Sequence, residues 1–99
     1  MNIRAEGFEW DKGNIAKCQK HGLSLEEIEA FFRSKIFVAP DLKHSEKEER
    51  FLAVGYSSGG KPMFVTFTLR GNLIRPISAR YMHKKEAQNY EKNSTQNNE

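Results

Sequence analysis

The sequence predicts an α+β fold in which helices pack on one face of an antiparallel sheet, and three observations carry that prediction. Two short segments with helix start and stop signals stand before residue 35. Residues after 36 switch to β-rich runs, the last two flanking Gly71-Asn72. A polar, amphipathic stretch after Tyr81 closes the chain.

The first helix is predicted from Asp11, which stands as an N-cap, through KGNIAKCQ, where Ile15 and Cys18 fall on one side at helical spacing. Lys20 and His21 occupy its last turn and Gly22 follows, the cation-then-glycine pattern of a helix end. Ser24 begins SLEE, the form of a capping box with Glu27 at the third helical position. Leu25, Ile28, Phe31 and Phe32 then form one apolar face up to an expected end near Ser34.

IFVAP reads as a short strand stopped at Pro40, and DLKHSEKEE as a charged connection. FLAVGY reads as a second strand, closed by the turn Ser57-Ser58-Gly59-Gly60. PMFVTFTLR and LIRPISARY flank the two-residue Gly71-Asn72 loop of a tight hairpin. That loop sets Arg70 opposite Leu73, and stepping outward pairs Thr68 with Arg75, Thr66 with Ile77 and Met63 with Arg80. The expected core face is Met63, Val65, Phe67, Leu69 and Ile74, with Arg80 at its far end. The opposite face carries Phe64, Thr66, Thr68, Arg70, Arg75 and Tyr81. A four-residue turn at 57–60 would put Leu52, Val54 and Tyr56 on the core face too. Pro76, which lacks an N–H, requires an edge position or one pointing away from a neighbouring strand. MHKKEAQNYEK reads as a C-terminal helix with Ala87 and Tyr90 on one side, and IRAEGFEW as an extra edge strand. The sequence therefore predicts two N-terminal helices, a sheet of three to five strands and a C-terminal helix, as a single domain over 1–92 with a disordered tail at 93–99.

Composition narrows the function classes. At 99 residues, 37% hydrophobic and 29% charged, the chain suits one small domain with a modest core. No apolar run approaches the roughly 20 residues of a spanning helix, and the amino terminus lacks a secretory h-region, so a soluble, cytoplasmic protein without membrane contact is expected. Cys18 is the single cysteine, which excludes an internal disulfide and paired-thiolate metal spacing; no metal or cofactor is predicted. Residues 1–50 hold nine Lys and Arg against ten Asp and Glu, whereas residues 51–99 hold seven against three. Residues 61–85 contain Lys61, Arg70, Arg75, Arg80, Lys84 and Lys85 and no acid at all. A positive field over part of the surface follows, with a polyanion or an acidic protein as the implied partner; an ordinary solvated strand face would have the same composition.

Four motifs occur in order: Trp-Asp-x-Gly-Asn at residue 10, Lys-His-Gly at 20, Glu-Glu-Arg at 48 and Ile-Ser-Ala-Arg at 77. With FEWDKGNIAKCQKHGLS and TLRGNLIRPISARYM around them, the chain resembles the BrnT family of type II toxins from Phe8 to about Tyr90. The resemblance implies a compact RelE-like fold, ribonuclease activity and a small DNA-binding antitoxin, BrnA, that neutralises the toxin and carries any contact with operator DNA. The segment between Trp-Asp and Lys-His-Gly is shorter here than in many members.

Metal-free RNA cleavage needs a base for the 2′-OH, an acid for the leaving 5′ oxygen and cations at the crowded phosphate. Arginine suits the last role because its planar fork bonds two oxygens at once, and the acid-free surroundings favour Arg75 and Arg80 for it. Pairing with Glu48, Glu49 or a helix acid is the competing role. His21 exchanges protons near neutral pH in principle, but Lys-His-Gly is also what a helix end looks like, and the two roles are compatible. His83, close in sequence to Arg80, is a second acid–base candidate. The candidate catalytic residues are thus Arg75, Arg80, His21 and His83. The candidate RNA contacts are Lys20, Arg70, Tyr81, Lys84, Lys85 and Trp10, the last as a stacking platform worth about 1 to 3 kcal/mol per base. Cys18 reads as a buried small hydrophobe and Glu49 as surface charge. Against the RNA-cleaving toxin stands a non-catalytic nucleic-acid- or protein-binding module of the same fold, acting as co-repressor with its antitoxin.

Overall fold

A computed structural model describes residues 5–96. In chain order it contains β1 (Gly7–Phe8), α1 (Lys12–Gln19), α2 (Leu25–Arg33), β2 (Phe37–Pro40), a 3-10 turn at Leu42–His44, β3 (Arg50–Tyr56), β4 (Pro62–Arg70), β5 (Leu73–Tyr81) and α3 (Lys84–Gln96). The strands form one mixed sheet in the order β1-β5-β4-β3-β2. β2 to β5 make the expected antiparallel meander. β1 adds an edge in parallel, through Gly7 with Leu73 and Phe8 with Ile74. α3 extends through Gln96, into the segment expected to be disordered, and residues 97–99 lie outside the described residues.

Both amino-terminal helices start where their caps predict. Asp11 Oδ1 accepts from the Gly13 and Asn14 backbone N–H groups, and Asn14 Oδ1 accepts the Asp11 N–H at 2.7 Å. Asn14 does more than its place in the motif suggests. Its buried side chain also donates to the Glu9 carbonyl at 2.9 Å and to the Pro76 carbonyl at 2.8 Å, fastening α1 to β5. Because Pro76 directs its carbonyl at Asn14, its missing N–H lies on the side where β1 has already ended, and no ladder bond is lost. α1 ends at Gln19, so Lys20 and His21 lie in the turn beyond it rather than in its last turn as expected; Gly22, at φ +88°, closes that turn, and Ser24 Oγ accepts the Glu27 N–H to start α2. The reciprocal half of that expected capping box is absent, because the Glu27 carboxylate accepts from the Tyr81 hydroxyl instead.

The core lies between α1, α2 and one sheet face; α3 instead touches the opposite face, where its Tyr90 ring stands 5.5 Å from Tyr56, so the three helices do not share one face as the sequence predicts. Cys18, Leu23, Ile28 and Phe31 pack against Phe51, Ala53, Met63, Val65, Phe67, Ile74 and Ala79. Each large apolar side chain buried this way contributes about 1.5–3 kcal/mol. Gly55 lets α2 sit close, since a Cβ there would meet Ile36 Cγ2 at 2.9 Å and Phe31 Cε1 at 3.2 Å.

Two register expectations are corrected. The hairpin begins as predicted, with Gly71 alone taking a positive φ of 58°, and Thr68 faces Arg75. A β-bulge then inserts Ile77, so Thr66 pairs with Ser78 rather than Ile77, and Met63 with Tyr81 rather than Arg80. One extra residue inverts every later side chain of β5. Tyr81 therefore turns to the helix face and Arg80 to the other, the reverse of the expectation. The second correction concerns β3. Tyr56 pairs with Pro62 and Ser57 N donates to Lys61 O, leaving an odd, three-residue loop that ends in Gly60 at φ +83°. Phe51, Ala53 and Gly55 are thus the inward residues, while Leu52, Val54 and Tyr56 face outward with Phe64 and Thr66. Leu69, expected in the core, sits next to the hairpin turn and stays exposed.

Candidate functional site

The sheet face opposite α2 is composed by these registers. Cross-strand pairing sets Phe37, Val54, Phe64 and Arg80 in one row, Ala39, Leu52, Thr66 and Ser78 in the next, and Arg50, Thr68 and Arg75 in a third. Aromatic and aliphatic side chains occupy the middle, with cations at both ends. A cleft of about 220 Å³ opens on it, lined by His21, Leu52, Phe64, Thr66, Ser78 and Arg80. His21 reaches it from the turn that follows α1, the helix packed on β5.

Arg80 is held on three sides. Its guanidinium lies over the Phe64 ring at 4.7 Å from the centroid, Nη1 donates to the Tyr81 carbonyl, and Nη1 and Nη2 donate to the two Glu86 carboxylate oxygens at 2.8 and 3.0 Å. Glu86 also accepts the His83 N–H at 2.8 Å. These bonds, Arg80 first, pull the Glu86 carboxyl down to about 2, and they hold the Arg80 guanidinium more firmly protonated. Burial pushes the Cys18 thiol the other way, up to about 11, so it is packed as a neutral side chain.

A second cleft of about 200 Å³ adjoins on the same sheet, lined by Lys17, Glu48, Arg50, Arg70 and Arg75 among others. Arg75 is well enclosed, its side chain only 15% exposed, and it bridges Glu9 at 3.1 Å and Asp11 at 2.8 Å. Its hydrogen bond to Asp11 holds that carboxyl below the usual range. Arg75 is therefore tied to the N-cap of α1. Arg70 pairs with Glu9 at 3.2 Å and Glu48 at 3.5 Å, the partner class that competes with a phosphate role.

The remaining candidates are dispersed. Tyr81 points to the helix face, where its hydroxyl donates to Glu27 and that bond raises its pKa. Trp10 Nε1 donates to Glu29 at 2.9 Å and its ring packs on the core, an anchoring arrangement. His83, Lys84 and Lys85 are exposed at the start of α3, and Lys20 is exposed at the end of α1. Phe64 and Thr66 stand on the hairpin face expected from the sequence to meet RNA, whereas Leu52, expected in the core, and Ser78 join the cleft unforeseen, as do Arg50 and Lys17 as cations of the second cleft and Glu86 as the partner of Arg80. Glu86 had one available signal: it is the first acid after the acid-free run, in a helix's first turn.

A family profile described as "Ribonuclease toxin, BrnT, of type II toxin-antitoxin system" matches residues 10–86, most of the chain. The chain belongs to the BrnT family. The match spans both clefts, from Trp10 to Glu86, and leaves most of α3 outside. A comparison with curated proteins finds no match. Membership in this type II toxin family implies an antitoxin as partner. Among the described residues, no helix is long and apolar enough to cross a membrane.

Proposed function

We propose that this BrnT chain is an endoribonuclease toxin that cleaves RNA by attack of a 2′-hydroxyl on the adjoining phosphate, at the cleft shared by His21 and Arg80. The observation that carries it is that these two residues, far apart in sequence, line one cleft whose floor is the Phe64 ring and the Leu52 side chain. In this reading the Arg80 fork binds two non-bridging phosphate oxygens and stabilises the charge that builds on them as the 2′ oxygen bonds to phosphorus. The 2′-hydroxyl proton passes to solvent water, the bond from phosphorus to the 5′ oxygen breaks to leave a 2′,3′-cyclic phosphate, and His21 supplies the proton that the departing oxygen takes up. No metal enters the step. Arg50, Arg70 and Lys17 continue the cationic track roughly 15 Å along the strands, where neighbouring phosphates would sit. The partner is a BrnA-type, DNA-binding antitoxin that neutralises the toxin by covering this face and brings the pair to operator DNA.

A second reading, a non-catalytic module that binds nucleic acid or protein and acts as co-repressor with its antitoxin, is favoured by one observation. Arg70, Arg75 and Arg80 all pair with carboxylates of their own chain. Induced expression of the chain alone, beside Arg80→Ala, separates the two. Growth arrest with loss of RNA integrity, abolished by Arg80→Ala in a protein that stays folded, is the expected result. A folded wild-type chain that leaves growth and RNA untouched would assign the co-repressor role.

A further inference from the structure

We propose that Glu86 is a built-in competitor for the substrate phosphate, a residue of the binding site that makes Arg80 available only to ligands able to displace a carboxylate. The inference rests on the reading of Arg80 as the phosphate-binding group. Both terminal nitrogens of the guanidinium are engaged by the two Glu86 oxygens, at 2.8 and 3.0 Å, the bidentate geometry that a phosphate would use. The carboxylate does not reach Arg80 by chance of a flexible side chain. It is anchored at the third position of α3 by the His83 N–H at 2.8 Å, while Ala87 N donates to His83 O to close the first helical turn. Phe64 supports the guanidinium from one side, so a phosphate gains the fork by replacing Glu86 rather than by moving Arg80 to a new place.

The consequence is a raised threshold for binding. Exchange of one anion for another at Arg80 gains little by itself, so a lone phosphate group has small advantage over the resting ion pair. A polynucleotide adds contacts at Lys17, Arg50 and Arg70 in the adjoining cleft, and those supply the margin. Glu86 thus lowers the affinity of every phosphate ligand at Arg80 by a common factor, which a chain with those added contacts offsets and a mononucleotide or free phosphate does not.

The test measures binding of a short, single-stranded 2′-O-methyl RNA, which offers phosphates but no attacking hydroxyl, to wild-type chain, Glu86→Gln, Glu26→Gln, Arg80→Ala and the Glu86→Gln/Arg80→Ala double variant. Gln keeps the acceptor for the His83 N–H, so α3 retains its first turn. Glu26, exposed on α2, makes the same change of net charge away from the cleft. Glu86→Gln is expected to bind about three- to tenfold more tightly, Glu26→Gln within about twofold of wild type, and the gain should vanish in the Arg80→Ala background. Should Arg80→Ala not fold, Arg80→Lys, which keeps the charge without the fork, takes its place and should retain only part of the gain. Absence of a gain, a gain matched by Glu26→Gln, or a full gain without the Arg80 fork overturns the proposal. Cleavage of the corresponding ribose RNA is followed in parallel. Tighter binding by Glu86→Gln with no cleavage by either protein would sink the ribonuclease reading and leave the competitor role standing.

Discussion

Phe64 and Phe67 lie three residues apart on β4 and do different work. Phe67 is fully buried at the centre of the ring cluster, 5.4 Å from Phe51 and 5.1 Å from Phe32. Phe64, on the opposite face, is half-buried beneath the Arg80 guanidinium. The same side chain thus secures the fold on one face and supports a charged cleft on the other. The difference is one of parity on a pleated strand, and it separates residues whose loss unfolds the chain from residues whose loss disarms it.

Phe67→Ala offers the largest effect on that contrast. Removing a fully buried ring at the junction of two aromatic neighbours should cost about 3–5 kcal/mol in urea unfolding, a large part of what a domain this size has. Phe64→Ala should instead change stability by about 1 kcal/mol or less and weaken RNA binding or cleavage about tenfold, because Arg80 loses the ring that orients it. A Phe64→Ala protein as unstable as Phe67→Ala would collapse the distinction between the two faces.

Gly55→Ala sharpens the same contrast by overfilling the helix face. The added methyl meets Ile36 and the Phe31 ring, and a cost of about 1–3 kcal/mol is expected in thermal or urea unfolding, with RNA affinity per folded molecule unchanged. The smallest effect belongs to the open face under acid. Glu86 titrates at about 2 when folded against an ordinary value of 4.5, so its ion pair stabilises the fold fully above pH 4.5 and loses that contribution as pH falls toward 2. The melting-temperature difference between wild type and Glu86→Gln should shrink over that window. A difference that stays constant from pH 6 to pH 2.5 would show that the pair does not stabilise the folded chain.

Local chemistry made much of the architecture readable. Ser24 and Asp11 mark their helices, Gly22 turns the chain between them, and Gly71-Asn72 closes a hairpin whose strands run over the predicted residues. Each of these signals acts within a few residues, through a cap, a left-handed turn or the absence of a Cβ. The candidate site was only partly readable. The acid-free run identified Arg70, Arg75 and Arg80 as a group, yet their surroundings separate them: Arg75 is tied to Asp11 at the start of α1, while Arg80 shares a cleft with His21. Partners contributed by distant segments, Glu9 and Glu27 among them, leave no mark near the residues they engage.

The sequence by itself determined the α+β class, the order of the elements, the caps that start the helices and the basic character of the last hairpin, because propensity, turn geometry and charge are properties of short stretches. Tertiary structure alone decided which side chains face the cleft. The bulge at Ile77 and the odd loop between Ser57 and Lys61 each shift parity by one residue, exchanging Arg80 with Tyr81 and turning Leu52 outward. A strand pattern of period two looks nearly the same after such a shift, and only packing against the helices, with Phe51, Ala53 and Gly55 accommodated beneath α2, selects the register that is realised.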